Sequence, residues 1–284
     1  AEFDGLEREK HVFTSNEGQK ITGYVYKKGD TEPKGLIVLA HGFGGGGHCS
    51  YMDVADYFAS NGYNVFAYDA TGNDESEGES VKGLPQGVID LDYALNYIKA
   101  DEELSDLPLM LWGHSWGGYS VCSGSKLHPE IEGIISVAGF NSSLDMIENV
   151  GRDMAGDAID YAMPIFEDLE KDKFGDFATM TAIEGLERST ADVLIYHSAD
   201  DGKGLVHYLH GTHTCFPVGI FHLGIELGHI ITDHVYALSL CHYLHFYVVC
   251  YLLACKTGYQ VIYLVNKVLQ YHIRKLCYKQ DSNN

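Results

Sequence analysis

Leu111-Trp112-Gly113-His114-Ser115-Trp116-Gly117-Gly118 is the stretch on which the reading of this chain turns. It sets Gly-x-Ser-x-Gly between an apolar run, Leu107–Trp112, and a segment with helical spacing, Trp116–Leu127. A strand that turns into a helix this sharply has no room for side chains beside the serine, so glycines flank it. The turn lifts the hydroxyl clear of the backbone, over a helix N-terminus whose partial positive charge favours a developing anion. The bare five-residue pattern also fits an ordinary glycine turn. Its strand–turn–helix setting favours a nucleophile.

Working outward, strands and helices alternate. His11–Ser15 and Lys20–Tyr26 read as a hairpin around Asn16-Glu17-Gly18. Gly35–Ala40 is wholly apolar, as a strand buried on both faces requires. Met52–Ser60 is helical and stops at Asn61-Gly62. Strand Asn64–Tyr68, helix Gly87–Ala100, the serine segment, strand Gly133–Val137 and strand Val193–His197 follow. Such alternation predicts an α/β fold with a mainly parallel central sheet and helices on both faces. Residues 140–190 break the rhythm with acidic, Met-containing helical stretches, which suits a lid over the carboxyl edge of the sheet.

The first apolar strand ends in His41-Gly42-Phe43-Gly44-Gly45-Gly46-Gly47. A glycine-rich loop there can supply the second donor of an oxyanion hole, so the hole is assigned to the backbone N–H groups of Phe43 and Trp116. The competing readings are a flexible turn and a phosphate cradle. A P-loop is excluded because no Gly-Lys-Ser/Thr follows, and no Gly-x-Gly-x-x-Gly register opens a helix directly. His41 and His48 are read as structural, and His114 as part of the elbow rather than as a base.

With these motifs in order, joined by Tyr68-Asp69-Ala70-Thr71-Gly72-Asn73-Asp74-Glu75-Ser76-Glu77-Gly78, residues 10–201 resemble the α/β-hydrolase superfamily. Its serine aminopeptidase-like, monoglyceride-lipase-like and small esterase members are the nearest in pattern. The middle motif resembles the family's D-x-R-G-x-G-x-S-x-G turn, with Ala70-Thr71 in place of the usual pair before glycine. The resemblance implies a catalytic triad. Ser198-Ala199-Asp200-Asp201 is similar to the family turn G-x-x-D-x-x-V, a register that selects Asp201 as the acid and leaves Asp200 as its neighbour. The expected valine is missing from Gly202-Lys203-Gly204-Leu205. For the base, His229 is preferred over His207, His210, His213, His222 and His234. Gly228-His229 follows a strand-like run, Phe216–Leu223, at a distance from Asp201 similar to the family's.

Composition breaks at the same place. Residues 1–202 hold 37 of the 40 acidic side chains, whereas 203–284 hold 3, with 9 of the 15 histidines and 5 of the 7 cysteines. This divides the chain into a hydrolase core, 1–202, and an atypical C-terminal segment, 203–284. The segment is either translated out of the ancestral frame or divergent in its own right. A net charge of -21 excludes nucleic acid as a partner and argues against anionic membranes. Val235–Cys255 is uncharged and long enough to span a bilayer, but its histidines and tyrosines favour a buried or aberrant segment over an anchor. Seven cysteines without regular spacing read as free thiols, and no signal-peptide pattern is visible, so the expected compartment is the cytoplasm. The expected activity is hydrolysis of a small-molecule ester or thioester through an acyl-enzyme on Ser115, without metal or organic cofactor. A peptidase and an inactive hydrolase-like protein are the alternatives.

Overall fold

The computed structural model describes residues 3–44 and 46–197, and the strand 218–222. All belong to one compact unit, Ala1–Ile231. Its strands are β1 (Glu7–Thr14), β2 (Lys20–Lys27), β3 (Leu36–Ala40), β4 (Asn64–Tyr68), β5 (Leu109–His114), β6 (Ile131–Val137), β7 (Asp192–His197) and β8 (Val218–His222). They form a single sheet in the order β1-β2-β4-β3-β5-β6-β7-β8. The hairpin β1–β2 and the pair β2–β4 are antiparallel, and every later pairing is parallel. β8 comes from the atypical C-terminal segment and lies beside β7.

Period-two alternation explains how the sheet is covered. Ile37, Leu39, Val65 and Ala67 pack on one face with Ala55 of helix α1 (Met52–Ser60). The alternate residues Leu36, Val38, Phe66 and Leu111 are fully buried on the other face. Helix α3 (Trp116–Gly124) packs there, with α2 (Pro85–Ala100) against it. All five residues of β3 are buried, as its unbroken apolar run requires. β1 begins at Glu7 rather than at His11 because its charged first residues pair with β2 through the backbone while their side chains stay exposed. The last turn of the helix expected over Trp116–Leu127 tightens to 3-10 geometry at Ser125–Leu127.

Between β6 and β7 the chain forms α4 (Ser143–Ala155), α5 (Met163–Phe174) and α6 (Ala182–Arg188), joined by 3-10 turns at Gly156–Tyr161 and Gly175–Thr179. This is the helical insertion expected over 140–190. Ser142 and Thr181 start α4 and α6 by accepting the N–H groups of Asp145 and Glu184. Glu170 of α5 is 2% exposed. Its Oε1 accepts from the Ser143 hydroxyl at 2.6 Å, and its Oε2 has no hydrogen-bond partner among the described residues. Burial pushes this carboxyl up to about 7, against the pull of the Ser143 hydroxyl and Lys173.

Asp90 of α2 ties three segments together. Its Oδ1 accepts from the Ser15 hydroxyl at 2.7 Å, the Thr71 hydroxyl at 2.9 Å and Gln86 Nε2 at 2.9 Å. Its Oδ2 accepts the Thr71 N–H at 2.7 Å. Asp90 is 0% exposed and forms no salt bridge among the described residues. Burial pushes its carboxyl up while these hydrogen bonds hold it down.

Two expectations follow. Asp90→Ala removes the acceptor of both Thr71 donors and leaves Ser15 and Gln86 only the Asn16 side-chain oxygen, and should lower unfolding free energy in urea by about 3 kcal/mol. A loss under about 0.5 kcal/mol would mean that water replaces the carboxylate. Glu170 binds its proton more tightly folded than unfolded. Its contribution is therefore complete below pH 4.5 and is lost as pH rises through about 7. Glu170→Gln should flatten the wild-type decline in stability over that window, which a urea midpoint series against pH would read.

Candidate active site

Ser115 sits between β5 and α3 at φ 53° and ψ -111°. A non-glycine residue held at such a φ and ψ costs about 1–3 kcal/mol and persists only where its surroundings fix it. Here the Ser115 N–H donates to the Val137 carbonyl at 2.8 Å, and the Ser115 carbonyl accepts the Tyr119 N–H at 3.0 Å. The glycines are required by contact. A Cβ on Gly117 would lie 1.9 Å from the Ala40 carbonyl oxygen, and one on Gly113 would lie 2.2 Å from the Gly117 carbonyl oxygen. The first turn of α3 thus rests directly on the backbone end of β3.

That contact brings the glycine loop to the serine. The Phe43 ring meets the Trp116 ring edge-on at 5.5 Å, and the His41 ring also meets it edge-on, at 5.9 Å. Trp116 is 1% exposed, and its indole N–H donates to the Leu84 carbonyl at 2.7 Å. As the first residue of α3, Trp116 has a backbone N–H with no acceptor inside the helix. Ser115, Phe43 and Trp116 are therefore neighbours. Asp201 and His229 lie outside the described residues, as do Asp200 and the other tail histidines.

Each of the three nearby histidines is tied up locally. His41 Nε2 accepts the Ala70 N–H at 2.9 Å, so its Nδ1–H donates to the Gly42 carbonyl at 2.8 Å. Burial pushes this imidazole down, which favours that neutral form. His48 donates from its backbone N–H at 2.8 Å, and from Nδ1 at 2.6 Å, to Asp69 Oδ1. Burial raises the Asp69 carboxyl, and the hydrogen bonds from His48 more than reverse the effect, leaving it below its ordinary value. His114 Nδ1 is 2.8 Å from the Tyr51 hydroxyl, and burial pushes its imidazole down. Tyr51 and the His48–Asp69 pair escaped sequence reading. The one available signal was the position of His48 and Tyr51 just after the glycine run.

Among the described residues no group of three or more His, Cys, Asp or Glu is placed to hold a metal ion. Among them, too, no helix is long and apolar enough to cross a membrane.

Residues 31–156 match the family model described as serine aminopeptidase, S33. The folded chain superposes on an esterase from Pyrococcus furiosus with a TM-score of 0.58 at 16% identity, over 84% of this chain and 89% of that one. The chain has the α/β-hydrolase fold. Curated relatives include the quorum-quenching protein AidA of Acinetobacter baumannii, 27% identical over 47% of this chain and 46% of that protein. The monoglyceride lipase of Saccharomyces cerevisiae is 32% identical over 40% of this chain and 39% of its own length. The chain thus spans less than half the length of these relatives.

The elbow strain is measurable. Ser115→Gly relieves the positive φ, whereas Ser115→Ala keeps it. The glycine variant should exceed the alanine variant by about 1 kcal/mol in urea unfolding, despite the entropy glycine adds to the unfolded chain. A less stable glycine variant would mean that the turn is not strained.

Proposed function

We propose that the protein is a serine hydrolase that cleaves small carboxylic esters or thioesters through an acyl-enzyme on Ser115. The observation that carries this reading is the fixed positive φ at Ser115, set beside Phe43 and Trp116. The names of the relatives, monoglyceride lipase and esterase, favour an ester bond. In this reading the Ser115 oxygen attacks the acyl carbonyl while His229 takes its proton. The N–H groups of Phe43 and Trp116 receive the oxyanion. Collapse expels the alcohol or thiol, which leaves with the proton from His229, and water then repeats the sequence to release the acid. Asp201 holds His229 in one tautomer and stabilises the imidazolium. The chemistry calls on no metal or organic cofactor.

Two other readings have an observation behind them. The family model's name favours a peptidase built on the same serine. The break in charge after residue 202, with the valine missing after Asp201, favours a chain whose tail is out of frame and whose activity is lost. A cytoplasmic location is supported by Cys49 and Cys122, which are free thiols.

Hydrolysis of p-nitrophenyl butyrate and of alanine p-nitroanilide by the full chain separates these readings. The ester should turn over and the anilide should not. Ser115→Ala should lower the ester rate by about 1,000-fold or more while circular dichroism stays unchanged. Asp201→Asn should be crippled by a similar factor, and Asp200→Asn should stay within about fivefold of wild type. The reverse order would move the acid by one residue. No turnover of either substrate would favour the inactive reading, and the coding frame after codon 202 would then be the place to look.

A further inference from the structure

The hydroxyl of Tyr51 stands between the two loops that flank Ser115. Tyr51 ends the 3-10 turn Gly47–Tyr51, three residues after His48, whose bonds to buried Asp69 fix the start of that turn. Its oxygen accepts the Gly42 N–H at 2.9 Å and lies 2.8 Å from His114 Nδ1. Gly42 precedes Phe43 in the glycine loop, and His114 precedes Ser115 in the elbow. Burial lowers the proton affinity of the His114 imidazole and pushes the Tyr51 phenol up to about 12, so both groups are neutral near pH 7. With His114 in its Nε2–H tautomer, the hydrogen bonds take one direction. The amide donates to the phenol oxygen, the phenol O–H donates to Nδ1, and His114 carries its own proton on Nε2.

The space around this bridge is full. A Cβ on Gly42 would meet the Tyr51 oxygen at 2.7 Å and His114 Nδ1 at 3.1 Å. The phenol and imidazole therefore occupy the volume that a side chain on the glycine loop would take. The Tyr51 ring is gripped in turn by Trp112 of β5, edge-on at 5.5 Å. Gly42 explains why the loop can come this close, and Tyr51 explains what stops it coming closer.

We propose that Tyr51 is a positioning residue of the active site, a clasp that sets the spacing between the loop carrying Phe43 and the elbow carrying Ser115 and Trp116. The proposal rests on the assignment of the nucleophile and oxyanion donors made above. An oxyanion hole acts through donors fixed in advance, so a small change in their separation lowers kcat more than it changes substrate affinity.

The test compares wild type, Tyr51→Phe and Tyr57→Phe, Tyr57 being 64% exposed on α1. The phenylalanine at 51 keeps the ring and removes only the bridging oxygen. On p-nitrophenyl butyrate Tyr51→Phe should lower kcat by about 10-fold with KM within about twofold, and Tyr57→Phe should match wild type. In 15N-labelled protein, Tyr51→Phe should shift the His114 Nδ1 resonance to that of an unbonded nitrogen and move the Phe43 and Trp116 amide resonances. Stationary Phe43 and Trp116 amides would overturn the clasp whatever the rate. An unchanged kcat in an active enzyme would overturn it as well. Shifted amides in a chain without turnover support the clasp and place the failure in the proposed catalysis. Full activity in Ser115→Ala refutes the nucleophile, and with it the positioning role.

Discussion

The closest constraint in the described structure is the contact of Gly117 with the carbonyl of Ala40. Only a residue without a side chain allows α3 to begin where β3 ends. That one approach fixes three things together: the turn after β5, the positive φ of Ser115 and the proximity of the glycine loop. Without it, Trp116 could not lie against His41 and Phe43. The apolar sheet supplies the rigidity behind the contact, since β3 and β5 are paired in parallel along the whole of β3. Core packing and site geometry are in this sense one problem.

Around that contact, buried polar groups hold the loops. Asp69 at the end of β4 anchors the turn that follows the glycine loop, through both bonds from His48. His41 links the same loop to Ala70. Asp90 secures the next residue, Thr71, by its N–H and its hydroxyl. Loops that run over a sheet edge must satisfy their backbone groups somewhere, and here a few carboxylates and imidazoles supplement backbone–backbone bonds such as that from the Gly72 N–H to the Glu77 carbonyl. The departure at Ala70-Thr71 from the family motif has a local consequence: Thr71 meets Asp90 as a neutral donor, and the buried carboxylate has no salt bridge among the described residues.

Much of this was legible in the sequence because it is written in local patterns. The unbroken apolar run at Leu36–Ala40, the glycines around Ser115 and the stop at Asn61-Gly62 each follow from short-range sterics and periodicity. The acidic insertion and its place between β6 and β7 were also legible, from the break in rhythm. Tyr51, the His48–Asp69 pair and the Asp90 hub were not. Each depends on partners 19 to 75 residues away that meet only when the sheet order is known, such as Tyr51 with His114 or Asp90 with Ser15. A tyrosine or aspartate in a mixed polar stretch carries no periodic mark. The extension of β1 back to Glu7 was missed for a related reason, since an edge strand pairs through its backbone and leaves no apolar alternation to read.

The central claim is that Ser115 is an activated nucleophile. Reaction of the full chain with a fluorophosphonate, followed by peptide mass spectrometry, tests it most directly, because a phosphonyl adduct forms on a serine whose hydroxyl is being deprotonated. The account predicts one adduct per chain, carried by Ser115. An unmodified Ser115 after prolonged exposure, or an adduct on another serine, would contradict it.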